Sequence, residues 1–187
     1  MYPVTRSSAC LDLRELALTD VEAVYAIYGS PAATEHLSFE PRDREQVEQI
    51  MARSIAAATA TPRREYALAV IEHETAELIG LGRLALDPHQ QRGATMGFAL
   101  RPQAWGRGYG VETVRLLLSF GFSELGLHRI WGARSPINEG SARTVAAAGM
   151  VEEGTIREHV LRGGKWRDSV VHAILDREFP TSSSTDH

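Results

Sequence analysis

Three glycines and an arginine, in Trp105-Gly106-Arg107-Gly108-Tyr109-Gly110, stand directly before Val111-Glu112-Thr113-Val114-Arg115-Leu116-Leu117-Leu118. The first group suits a tight turn and the second an amphipathic helix. Thr95-Met96-Gly97-Phe98-Ala99-Leu100, just upstream, reads as a strand. Strand, glycine turn and helix is a geometry that binds phosphate. Glycine lets backbone amides approach an anion with no Cβ in the way. The unpaired N–H groups and positive dipole end of the helix favour negative charge. The turn fits neither common nucleotide fingerprint. Its glycines do not follow G-x-G-x-x-G, and no Gly-Lys-Ser/Thr occurs there.

Groups able to move a proton are scattered. Glu35 and His36 fall in the loop between the first two helices, and His159 lies on the strand before a final hairpin. Each can relay a proton through water, and each has a plainer reading as a solvated loop carboxylate or a water-facing histidine. Ser141 can serve as an acid for a leaving group or as a helix-capping hydroxyl. Asp168 is placed to pin the hairpin through Arg157 or Arg167. The basic residues Arg157, Arg162, Lys165 and Arg167 can guide an acidic substrate or form a solvated face. Histidines 36, 73, 89, 128, 159, 172 and 187 form no metal-spaced pair with one another or with Cys10, so no metal is expected. No G-x-S-x-G elbow is present, which argues against a serine hydrolase.

The elements that must hold these groups follow from periodicity. Leu11 to Leu16 alternates as a half-buried strand. Thr19-Asp20-Val21-Glu22 reads as a capping box for a helix that Gly29 and Pro31 stop. A second helix begins near Asp43, carries Val47, Ile50, Met51, Ser54, Ile55 and Ala58 on one stripe, and ends at Thr61-Pro62. Strands are expected over Tyr66 to Ile71, Leu78 to Leu86 and Ala94 to Leu100. After the glycine turn, Val111, Val114, Leu118 and Phe122 share a helix face. Arg129 to Ala133 is an interior strand, and Asn138 caps a helix that Gly149 ends. Met150 to Leu161 and Lys165 to Asp176 form a hairpin turned by Gly163-Gly164. The order β-α-α-β-β-β-α-β-α-β-β is mixed α/β, not a pure βαβ dinucleotide fold.

Composition agrees. The chain has 187 residues, 43% hydrophobic and 24% charged, with net charge −4. That suits a single domain over residues 1–180 with a polar, disordered tail at 181–187. The charge argues against a bulk nucleic-acid binder. No apolar run nears the ~20 residues of a membrane span. The first nine residues lack the features of a signal peptide, so a cytoplasmic location is expected. The lone Cys10, opening an apolar strand, is expected to be buried.

At this point the chain resembles the GNAT N-acetyltransferases, in their RimJ/RimL-like branch that acetylates ribosomal-protein N-termini. The resemblance runs from about Leu11 to Phe179 and is carried by stretches in register. These are Gly97-Phe98-Ala99-Leu100-Arg101-Pro102, the glycine turn with Glu112, Glu124-Leu125-Gly126-Leu127-His128-Arg129, Asn138 to Arg143 ending in Gly149-Met150, and Lys165-Trp166-Arg167-Asp168. It implies a mostly antiparallel sheet of about seven strands, splayed between two central parallel strands and flanked by about four helices. It also implies acetyl-CoA as cofactor. Backbone amides of Trp105, Gly106, Arg107, Gly108, Tyr109 and Gly110 would hold its pyrophosphate. Phe98, Ala99 and Leu100 would pair with the pantetheine arm, and Asn138 and Ser141 would contact that arm. The implied partner is an amine acceptor, either a small molecule or a protein N-terminus, with no metal, nucleic acid or membrane, in a monomer or homodimer. Two departures stand out. Thr95 and Met96 occupy the place where many members carry a proton-relaying acid, and Met150-Val151-Glu152-Glu153 offers no tyrosine acid. Amine acetylation is therefore expected, with a catalytically silent acyl-CoA-binding module as the alternative.

Overall fold

The computed structural model describes residues 2–180, and the tail expected at 181–187 lies outside them. Its elements in chain order are β1 (Thr5–Ser7), β2 (Leu11–Glu15), α1 (Val21–Tyr28), α2 (Pro31–Thr34), α3 (Arg44–Ala58), β3 (Glu65–Glu72), β4 (Leu78–Leu86), β5 (Gly93–Leu100), α4 (Tyr109–Ser123), β6 (Arg129–Arg134), α5 (Glu139–Ala147), β7 (Val151–Arg162) and β8 (Lys165–Leu175). Eight strands form one sheet in the order β1-β2-β3-β4-β5-β6-β8-β7. All neighbours are antiparallel except β5 and β6. The expected count is thus exceeded by β1 and by the one-turn α2, both too short to show a period.

Local chemistry explains the corrections. The first helix stops at Tyr28, as Gly29 and Pro31 predict, and Pro31 in addition opens α2, where its fixed φ and missing N–H suit the first turn. Ser30 caps that turn by accepting from the Ala33 amide at 3.3 Å. Thr19 does not cap α1. Asp20 holds the N-cap position with no side-chain bond into the helix, its carboxylate instead accepting from the Ala17 amide at 2.8 Å while Arg14 grips both its oxygens at 2.8 Å. Arg14 thereby holds the Asp20 carboxyl below its usual range against the opposing pull of burial. Asp43 and Gln46 form the capping box of α3. Cys10 is exposed, because it lies in the β1–β2 turn before the buried alternation of β2 begins.

Helices cover both faces of the sheet. On one face Val24, Ile27, Val47 and Met51 of α1 and α3 pack on Ala69, Leu81 and Ala99. On the other, Val114, Leu117, Leu118 and Phe120 of α4 pack on Leu13, Leu68, Leu84 and Ile130. The buried side of α4 is wider than one stripe, since Leu116 and Leu117 are also covered. A sheet crosses this helix on one side and α5 lies against it on another, leaving little of its surface wet. The C-terminus of α5 is a Schellman motif: Gly149 (φ 99°) donates to Ala146 and Met150 donates to Val145.

Two features of the sheet shape the site. First, β5 and β6 pair only at Gly93–Arg129, Ala94–Ile130 and Thr95–Trp131, then diverge. Gly132 sits at the fork, where a Cβ would lie 3.0 Å from the Met96 carbonyl oxygen. Second, β7 is irregular. Ile156 pairs with Ser169 and Val160 with Arg167, so Arg157, Glu158 and His159 all oppose Asp168. Glu158 takes φ 49°, and its amide donates to Asp168 at 2.8 Å. Asp168 therefore pins the bulge itself, not Arg157 or Arg167 as expected. The hairpin closes through Gly163 and Gly164, both at positive φ.

Candidate active site

The fork opens a cleft of about 1110 Å³. Its floor is β5 beyond Thr95. The Arg101 amide donates to Ile79 of β4 at 2.8 Å. Antiparallel alternation then turns the backbone groups of Ala99 toward β4, and those of Met96, Phe98 and Leu100 toward the cleft. This corrects one expectation: Ala99 lines the cleft but does not offer its amide there, whereas Phe98 does. The Leu100 carbonyl is already taken by the Trp105 indole N–H at 2.9 Å.

The glycine turn forms the cleft's far lip. Gly106 and Gly108 take φ 75° and 83°, conformations that favour glycine, and no atom lies within 4 Å of where a Cβ would stand. Among the described residues, the amides from Gly106 to Val111 have no hydrogen-bond partner, whereas that of Glu112 reaches back to Gly108. A row of free amides at the start of a 15-residue helix, bordered by open space, fits a diphosphate. Gly110 has a different task. A Cβ there would be 3.1 Å from Thr144 of α5, so this glycine lets the two helices approach.

The side chains of Arg107 and Tyr109 turn away from the cleft. Both meet Glu72 at the end of β3: Tyr109 donates its hydroxyl at 2.6 Å and Arg107 pairs at 2.8 Å. Thr75 donates a third bond at 2.8 Å. These donors, Tyr109 foremost, hold the Glu72 carboxyl below its usual range. Both side chains are thus engaged with Glu72 rather than with the cleft.

The remaining residues singled out from sequence converge on the cleft. Glu35, His36, Asn138, Ser141 and His159 all line it. Asn138 caps α5 through its side-chain oxygen, which accepts from the Ser141 amide at 2.9 Å. The bulge in β7 explains how His159, on an exposed edge strand, reaches the cleft. Glu35 and His36 stand 4.0 Å apart at the rim. Arg162 of the hairpin reaches this loop, donating to the Glu35 carbonyl and pairing with Glu40 at 3.6 Å.

Sequence reasoning missed His172. It lies opposite Gly132 on β8, 5% exposed, and lines the cleft near the fork. Burial, then the charge of Arg134, push its pKa below the usual histidine range, against a weaker pull from Glu152 at 3.6 Å. Its surroundings thus favour the neutral imidazole. Position in the buried part of β8 was the available signal, but register alone decides which strand it faces.

Fork, free amides and cleft define an acyl-CoA-dependent transferase class. Residues 11–151 match the acetyltransferase (GNAT) domain, and the chain belongs to that family. It is an acyltransferase whose cosubstrate is acetyl-CoA. The uncharacterized N-acetyltransferase YoaA of Bacillus subtilis is 29% identical over 177 residues, covering 94% of this chain and 98% of that protein. In fold the chain is similar to Mycobacterium smegmatis RimJ in complex with CoA-disulfide, at TM-score 0.81 and 22% identity, covering 97% of this chain and 91% of that one. It is also similar to the Vibrio cholerae spermidine N-acetyltransferase in complex with CoA and spermine, at TM-score 0.79 and 22% identity, covering 91% and 98%. Among the described residues no helix is long and apolar enough to cross a membrane.

Proposed function

We propose that this protein transfers an acetyl group from acetyl-CoA to the primary amine of an acceptor held in the cleft. The observation that carries the reading is the β5–β6 fork lying beside the free amides of Gly106 to Val111. Those amides bind the diphosphate. The open edge of β5 offers its backbone groups to the pantetheine arm as to an added strand. Asn138 and Ser141 line the same channel.

Acetyl-CoA supplies an activated thioester. The chain's own work is to place the amine against it, a positioning effect worth several kcal/mol. In this reading the Phe98 amide, turned toward the cleft, would stabilise the charge that develops on the carbonyl oxygen. The new C–N bond replaces the C–S bond, and one proton leaves nitrogen while one joins sulfur. An α-amine, with pKa of roughly 7.7–8, needs little help to lose its proton. In this reading water passing by His36, Glu35 or His159 carries the proton away, and the Ser141 hydroxyl, which lines the cleft, would protonate the leaving thiolate.

The test is thiol release from acetyl-CoA with small amines and peptides side by side, together with calorimetric binding of CoA. Turnover of an amine supports the reading. Tight CoA binding with no turnover on any acceptor replaces it with a silent binding module.

A further inference from the structure

We infer that the acceptor carries an anionic group, a carboxylate or equivalent oxyanion, that Arg167 receives at the hairpin end of the cleft. This rests on the acetyl-transfer reading and adds the substrate's chemistry to it. Arginines dominate the charged lining: Arg42, Arg83, Arg134, Arg143 and Arg167 face Glu35 and Glu65. Most of that charge is neutralised within the protein. Arg83 pairs with Glu65 at 2.8 Å, Arg134 with Glu152 at 3.3 Å and Arg143 with Glu139 at 3.4 Å.

Arg167 differs. It is half-buried, and among the described residues no carboxylate or carbonyl oxygen binds its guanidinium. Its Nε is fully covered and unbonded. The charge felt at this site is that of Arg162, of like sign. Burial and Arg162 both disfavour the Arg167 cation. Arg42 shares the condition. Its Nε is also covered and unbonded, and its guanidinium lies over the Phe39 ring at 5.0 Å. An uncompensated cation of this kind is costly unless something neutralises it. A guanidinium presents a fork of donors that matches a carboxylate.

The placement assigns this anion to the acceptor. Arg167 sits on β8 opposite Val160, beneath a hairpin whose Arg162 touches Glu35 and Glu40. The glycine turn has its own arginines, already neutralised: Arg107 by Glu72 and Arg101 by Glu77, each at 2.8 Å. Cofactor phosphate and Arg167 are thus served by different parts of the molecule. A polyamine would bring positive charge against Arg167 and Arg42 and is disfavoured.

The test compares wild type with Arg167→Gln. Acceptors are the dipeptide Ala-Glu, the neutral Ala-Gln amide, free glutamate and spermidine. Calorimetry with N-acetylated Ala-Glu gives a binding readout that needs no turnover, and CoA affinity reports an intact fold. The expected result is a kcat/KM at least tenfold higher for Ala-Glu than for the amide or spermidine. Arg167→Gln removes that advantage, weakens N-acetylated Ala-Glu at least tenfold, and leaves CoA affinity and the amide unchanged. Glutamate against Ala-Glu distinguishes a free amino acid from a peptide. Equal effects of Arg167→Gln on acid and amide, a preference for spermidine, or Arg167-independent binding of the acetylated peptide overturns the inference. Arg167-dependent binding without turnover of any acceptor keeps the anion site and removes the transferase reading instead.

Discussion

The Tyr109 hydroxyl donates to the Glu72 carboxylate at 2.6 Å, joining the first residue of α4 to the last of β3. Arg107 pairs with the same carboxylate from inside the glycine turn. Glu72 therefore grips the turn from behind, while the free amides face the cleft. Tyr109→Phe removes one grip and Glu72→Gln weakens all three. Calorimetry should show acetyl-CoA affinity falling about threefold in the first and at least tenfold in the second. Unchanged affinity in Glu72→Gln would mean that the turn holds its shape without it.

Gly106 and Gly108 should tolerate no Cβ. Each is left-handed, which costs a non-glycine residue roughly 1–2 kcal/mol, and each borders open space. Gly108→Ala should lower acetyl-CoA affinity at least tenfold with a small drop in Tm. Gly110→Val acts differently, since its side chain meets Thr144. Its main effect should be a lower Tm, measured by differential scanning calorimetry.

Asn138 has two separable atoms. Its oxygen caps α5, so Asn138→Ala should cost ~1 kcal/mol of stability. Asn138→Asp keeps an oxygen for the cap and loses the amide N–H. A rise in KM for acetyl-CoA at unchanged Tm in Asn138→Asp would assign that N–H to the pantetheine arm. Normal kinetics in both variants would leave the residue as a cap alone.

His172 should make the fold acid-sensitive. In the unfolded chain it titrates near 6.5, and in the fold it titrates lower. Between those values the unfolded state binds a proton that the folded state refuses. Stability should therefore fall as pH drops below about 6.5 and level off below the folded pKa. Melting curves from pH 5 to 8 should show a shallower acid loss in His172→Asn than in wild type.

The proton relay should prove shared. The Glu35 side chain is 68% exposed, and His159 is an exposed edge-strand residue. Glu35→Gln, His36→Asn and His159→Asn, made separately, should each keep kcat/KM within about fivefold. The ascending limb of the kcat/KM pH profile should move with the acceptor's amine pKa. A limb that stays fixed across acceptors and disappears in one variant would identify that residue as the base.

The sequence by itself determined most of the elements and pointed to the glycine turn as a candidate anion site. The alternation in β2 and β5, the stripes of α3 and α4, and Gly163-Gly164 are local signals, because periodicity and left-handed turns act within a few residues. The glycine turn is likewise local, being a strand end, glycines and a helix start in one stretch. Tertiary structure decided what depends on register and on partners distant in sequence. Only the fold shows that Glu72 claims the Arg107 and Tyr109 side chains, because 35 or more residues separate them in the chain. Only alternation against β4 selects Phe98 over Ala99 for the cleft. A bulge that no pattern announces aims His159 inward, and strand order alone brings buried His172 to the fork. Arg167 reads in sequence as one of several hairpin charges. Its lack of a counter-charge emerges only when β8 is laid beside β7 and the Glu35 loop, because burial and neutralisation are properties of neighbours.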